Sequence, residues 1–97
     1  MTDTFKLMLA QLNPTVGAIA ANVARAKEAW ESGKAAGADM VALTEMFVTG
    51  YQTQDLILKP AFVSAAVAAI EALAVDCADG PALGIGGPVS LGGRLYN

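Results

Sequence analysis

Met40-Val41-Ala42-Leu43-Thr44-Glu45 decides the fold: four apolar residues stand between Asp39 and a threonine-glutamate pair. A run so short and so uniformly apolar reads as a buried strand, and it delivers Glu45 at its C-terminal end. Upstream, Ile19, Val23, Ala26 and Trp30 are spaced four, three and four apart, while Arg25, Lys27, Glu28, Glu31 and Lys34 fall mainly off that stripe. This predicts an amphipathic helix whose end is loosened by Gly33 and Gly37. Further back, Phe5 to Leu12 reads as another buried strand, halted by Asn13-Pro14. Downstream, a loop containing Gly50 and Pro60 leads to a second helix. There Phe62, Val63, Ala66, Val67, Ile70, Leu73, Ala74 and Cys77 recur at helical spacing and stop near Asp79-Gly80-Pro81.

A third apolar run covers Ala82 to Val89, and its glycines argue for close backbone packing or a bulge. Ser90-Leu91-Gly92-Gly93 reads as a hairpin turn and Arg94-Leu95-Tyr96-Asn97 as the start of an antiparallel fourth strand. The order β-α-β-α-β predicts an α/β fold with a mainly parallel sheet and right-handed crossovers. The chain has 97 residues, of which 55% are hydrophobic and 15% charged. With a mean hydropathy of +0.48, this composition resembles the inside of a larger domain, so one incomplete domain is expected.

Six basic against nine acidic residues give a net charge of −3. That balance argues against a phosphate-neutralising surface, and nucleic acid is not an expected partner. One cysteine allows no internal disulfide, and the absence of histidine removes the usual zinc and Ser-His-Asp sites. A reducing, cytoplasmic location and no metal site are expected. Met1-Thr2-Asp3-Thr4 carries an acid where a signal peptide needs a basic patch. The most membrane-like stretch, Ala61 to Val75, contains Ser64 and Glu71 and falls short of the roughly 20 apolar residues of a spanning helix, so it is read as a soluble, buried helix.

In open α/β sheets the carboxyl ends of strands form the ligand crevice, which makes Glu45 a candidate catalytic acid or base. A carboxylate set among Met46, Phe47 and Val48 would be short of water and suited to general-base work; the alternative is an ordinary solvated glutamate at a strand end. The pattern alone leaves both open. Gly84-Ile85-Gly86-Gly87 lacks a following Lys-Ser/Thr and precedes Pro88, so packing glycines are preferred to a phosphate loop. Trp30 and Phe62 are read as core residues, and Asp55 as a cap of the turn that follows it.

Thr44-Glu45-Met46-Phe47-Val48-Thr49-Gly50-Tyr51, then Asp55-Leu56 and Lys59-Pro60-Ala61-Phe62, resemble the carbon-nitrogen hydrolase (nitrilase) superfamily. Within it the nearest likeness is to the N-terminal glutaminase domain of the glutamine-dependent NAD⁺ synthetase family. Ala10-Gln11-Leu12-Asn13-Pro14-Thr15-Val16-Gly17, Asn22 and Arg94-Leu95-Tyr96-Asn97 resemble the same domain in the same order, so the likeness covers nearly the whole chain. The chain departs from that family at Thr44, where a proline is usual, and at Gln52-Thr53-Gln54-Asp55, where Pro-Pro-Glu-Asp is usual.

The resemblance implies an αββα sandwich and a Glu-Lys-Cys triad, with cysteine as nucleophile, glutamate as general base and lysine holding the oxyanion. Glu45 matches the glutamate, and Tyr51 matches a tyrosine lining the glutamine pocket. The lysine and the nucleophilic cysteine are expected beyond Asn97, so residues 1–97 alone should be inactive. Lys6 and Lys59 lie outside the lysine motif, and Cys77 on its helix stripe reads as a plain buried thiol. The family uses ATP and Mg²⁺ in a separate synthetase domain to amidate deamido-NAD⁺ with the ammonia released, and it forms homo-oligomers. A stand-alone amidase or carbamoylase and a non-catalytic interaction fragment are the alternative readings.

Overall fold

Three parallel strands form the central sheet in the order β1-β2-β3, with β1 at Leu7–Leu9, β2 at Met40–Ala42 and β3 at Ala82–Gly84. The computed structural model describes residues 3–97, so Met1 and Thr2 of the acidic N-terminal stretch lie outside it. The register pairs Met8 with Val41 and Val41 with Leu83. Helix α1 (Ile19–Ala35) connects β1 to β2, and α2 (Pro60–Asp76) lies between β2 and β3. One cluster joins Ala26 of α1, Leu73 of α2 and Phe47, with Leu43 and Leu83 packed against it. Both helices therefore cover the same face of the sheet, and the β-α-β-α-β order is observed.

Local chemistry explains most of these elements and corrects several expectations. Gly33 does not loosen α1 but sits buried inside it. A Cβ there would run into Val41 Cγ2, so the glycine lets helix and strand close together. The helix ends at Ala35, and Gly37, with φ +76, turns the chain just past its cap. Pro60 is the first residue of α2 rather than part of the loop before it, as suits a residue without an N–H to orphan. Asp55 does not cap: it lies within a 3₁₀ turn, Gln54–Leu58, whose cap position Thr53 makes no side-chain hydrogen bond.

The first strand is shorter than the apolar run and is not buried. Leu7 and Leu9 remain 47% and 73% exposed, because only the face carrying Met8 and Ala10 meets the helices. Helix α2 likewise buries one stripe, Val63, Ala66 and Leu73, while Ala74 and Val75 face solvent. Among the described residues no helix is long and apolar enough to cross a membrane. Trp30 is buried, donates from Nε1 to the Pro81 carbonyl at 2.8 Å and lies under Lys34 Nζ; Phe62 is half-buried.

The third apolar run is divided. β3 stops at Gly84, and Val89–Leu91 (β4) pairs antiparallel with Arg94–Tyr96 (β5) in a separate two-stranded sheet. Gly92 and Gly93 both have positive φ, +55 and +79, the backbone needed for a two-residue turn matched to strand twist.

Candidate active site

Leu43 continues from β2, donating its N–H to the Gly84 carbonyl at 2.8 Å, and the chain then breaks into a turn at Glu45. Met46 adopts φ +55, an uncommon conformation for a side chain of its size. The reversal sends Phe47, Val48 and Thr49 fully inward, each 0% exposed, and leaves Glu45 at the rim. The apolar neighbours therefore do not enclose the carboxylate as their adjacency in sequence suggests. They anchor the turn that carries it.

Three further contacts hold this turn. The buried Asn22 of α1 donates from Nδ2 to the Val48 carbonyl at 3.1 Å and to the Thr15 carbonyl at 2.8 Å, while its Oδ1 accepts from Thr15 N–H at 2.9 Å. Gly17 N–H donates to the Thr49 carbonyl at 2.9 Å, tying the loop after β1 to the turn. On the other side Gly86 presses against the backbone: a Cβ there would lie 2.6 Å from Met46 N and 3.2 Å from Glu45 Cα. The glycines of Gly84-Ile85-Gly86-Gly87 are packing glycines: Gly84 closes on Met40, Gly87 on Val48 and Ile70, and Gly86 lets β3's extension approach the glutamate.

The Glu45 carboxylate meets one side chain from far along the chain. Asn97 Nδ2 donates to Glu45 Oε1 at 2.6 Å. Tyr51 follows Gly50 on the same loop and is 67% exposed. Cys77 is half-buried at the C-cap of α2, packed against the Phe47 cluster, where burial pushes its thiol pKa up. It is not brought to Glu45. Among the described residues no group of three metal-ligating side chains gathers. The reading from residues missed Asn22, Gly86 and Asn97 as supports of Glu45. A polar residue on the apolar stripe of α1 was the available signal for Asn22; pairs 41 and 52 positions apart leave no periodicity to read.

Fold and site together define a layered α/β domain: a parallel sheet with helices on one face and a carboxylate at the strand's C-terminal rim, where such sheets bind ligands. The carbon-nitrogen hydrolase family model matches residues 6–97, and the chain belongs to that family. It is 69% identical over 88 residues to a glutamine-dependent NAD(+) synthetase of Rhodobacter capsulatus, covering 91% of this chain and 16% of that protein. A second such synthetase, from Synechocystis sp., is 46% identical over 59 residues, covering 61% of this chain and 11% of its own length. The crystal structure of a glutamine-dependent NAD(+) synthetase from Cytophaga hutchinsonii superposes with a TM-score of 0.91 at 28% identity, covering 98% of this chain and 16% of that one. The chain thus spans about a sixth of the length of the Rhodobacter capsulatus and Cytophaga hutchinsonii proteins.

Proposed function

We propose that residues 1–97 form the N-terminal part of the glutaminase domain of a glutamine-dependent NAD⁺ synthetase, with Glu45 as general base and Tyr51 lining the glutamine site. The observation that carries the reading is the Glu45 turn: core residues, an α1 asparagine and a docked glycine hold one carboxylate at the sheet's C-terminal rim. Attack by a cysteine thiol on the glutamine amide needs an acceptor for the thiol proton, and the same carboxyl can return that proton to the departing ammonia. The lysine and cysteine of the triad would come from chain beyond Asn97, so the isolated segment would not turn over glutamine.

On this reading the ammonia is used by a separate synthetase domain, which employs ATP and Mg²⁺ to amidate deamido-NAD⁺; the proton transfers at Glu45 involve neither. Cytoplasmic location and homo-oligomerisation belong to the same proposal. Exposed apolar side chains such as Leu9 and Leu58, at 73% and 75%, support further protein surface covering these faces. The test is Glu45→Gln in the full-length enzyme. Glutamine-driven NAD⁺ synthesis should fall at least about 100-fold, as expected for loss of a general base, with synthesis from free ammonia preserved. Equal loss of both activities would overturn the assignment.

A further inference from the structure

Residue 97 lies immediately past β5, at the foot of the hairpin, where Tyr96 has returned to pair with Val89, three residues after Gly86. One stretch of chain therefore touches Glu45 twice: Gly86 against its backbone and Asn97 on its carboxylate. Neither side chain of the Asn97–Glu45 pair is buried, so the hydrogen bond does not rescue a desolvated polar group. What it supplies is orientation. A rim glutamate with several rotatable bonds otherwise spreads its carboxylate over many positions, and a base acts well only when held near the proton it must take.

We infer that Asn97 is a positioning residue for Glu45, its side-chain N–H fixing one carboxylate oxygen so that the other is presented to the nucleophile's proton. This rests on the reading of Glu45 as the general base. An ionised carboxylate only accepts hydrogen bonds, so the amide must offer its nitrogen, and an aspartate of nearly the same shape has no donor to offer. The separation of 52 positions means that the hairpin, rather than local chain geometry, sets the contact. A glycine pair with positive φ at Gly92 and Gly93 then fixes where residue 97 emerges.

Asn97→Ala, Asn97→Asp and Asn97→Gln in the full-length enzyme test the assignment, with glutamine-driven and ammonia-driven synthesis measured side by side. Asn97→Ala should lower the glutamine-driven kcat about 10- to 100-fold, part of what a well-placed base contributes. The KM for glutamine should stay within about twofold, as for an interaction used mainly in the transition state. Ammonia-driven synthesis should be unchanged, which also verifies folding. Asn97→Asp should lose at least as much as Asn97→Ala, and Asn97→Gln, which keeps the donor on a longer arm, should recover part of the rate. Wild-type kcat in Asn97→Ala, full activity in Asn97→Asp, or a change in KM alone would overturn the proposal. If Glu45→Gln retains glutamine-driven synthesis, the base assignment fails first, and the two failures are thereby distinguished.

Discussion

Residues 45–50 and 51–58 are consecutive loops of similar length, yet they are built in opposite ways. In the first, Phe47, Val48 and Thr49 are fully buried, and Asn22, Gly17 and Gly86 clamp the backbone from three elements. In the second, the 3₁₀ turn Gln54–Leu58 buries none of its residues, and Tyr51 and Leu58 stand 67% and 75% exposed. The difference separates two demands on an active site. On the proposed reading, a base must be held still, so its turn is part of the core, whereas a substrate-lining residue is carried on a loop whose final surroundings this segment does not itself supply.

The comparison breaks most severely at Phe47. Phe47→Ala removes the largest fully buried side chain of the cluster that links both helices, and the expected cost is about 3–5 kcal/mol. A fall of the thermal midpoint together with loss of glutamine-driven activity is the expected result. A stable, active variant would show that the turn is held by its hydrogen bonds and not by its anchor.

Next in size is Gly86→Ala. The added Cβ would meet backbone atoms of Glu45 and Met46, which cannot rotate aside as a flexible side chain could, so a cost of about 1–3 kcal/mol is expected. Because the displaced atoms carry the glutamate, glutamine-driven activity should fall more than stability does. Gly93→Ala offers the contrast, since a Cβ there meets nothing within 4 Å and the strain is confined to the hairpin turn.

These positions also mark where reading the residues succeeds and where it stops. The β-α-β-α-β order was legible because each element carries an apolar repeat of its own period, as Val23, Ala26 and Trp30 do on α1, where Ala26 and Trp30 are buried and Val23 packs partly buried against the core. The hairpin was legible because few residue pairs accept the backbone of Gly92-Gly93, but Ser90 and Leu91, read as part of the turn, belong to β4 and pair with Leu95 and Arg94. Burial was overestimated for Phe5 to Leu12 and for α2, because an apolar residue signals a wish for cover and not its presence: Leu9 and Val75 are 73% and 77% exposed. Gly33 and Gly86 share a composition signal with helix and strand breakers, and only the neighbouring backbone and side chains reveal them as points of close approach. Glu45 could be placed at a strand end, but its partner Asn97 could not, since nothing in a linear sequence says where a hairpin returns.

A smaller effect is expected on the looser side of the comparison. Tyr51→Phe deletes one hydroxyl from an exposed loop residue, so stability should change by less than about 0.5 kcal/mol. If that hydroxyl bonds the glutamine amide, the KM for glutamine should rise about 3- to 10-fold, the equivalent of one ordinary hydrogen bond. An unaltered KM would remove Tyr51 from the glutamine site while leaving Glu45 untouched.

The smallest effect lies at the edge of the core, where Cys77 packs against the cluster of Ala26, Phe47 and Leu73. Burial raises its thiol pKa, the adjacent Asp76 raises it further with a smaller push from Glu31, and Lys27 pulls partly against them. Lys27 is itself bridged to Asp76 at 3.8 Å, in an exposed pair whose contribution to stability is small. The folded chain thus holds this proton at a pH where the unfolded chain has begun to release it. The stabilisation is complete below the unfolded pKa and is lost as the pH rises through the folded one. Alkylation of Cys77 at pH 8 should be slower than that of an unfolded control in urea, and Asp76→Asn should speed it. Labelling at the unfolded rate would mean that the cluster opens at the end of α2, and that the rigidity of the Glu45 turn comes from the Asn22 and Gly86 contacts rather than from shared burial with the helix.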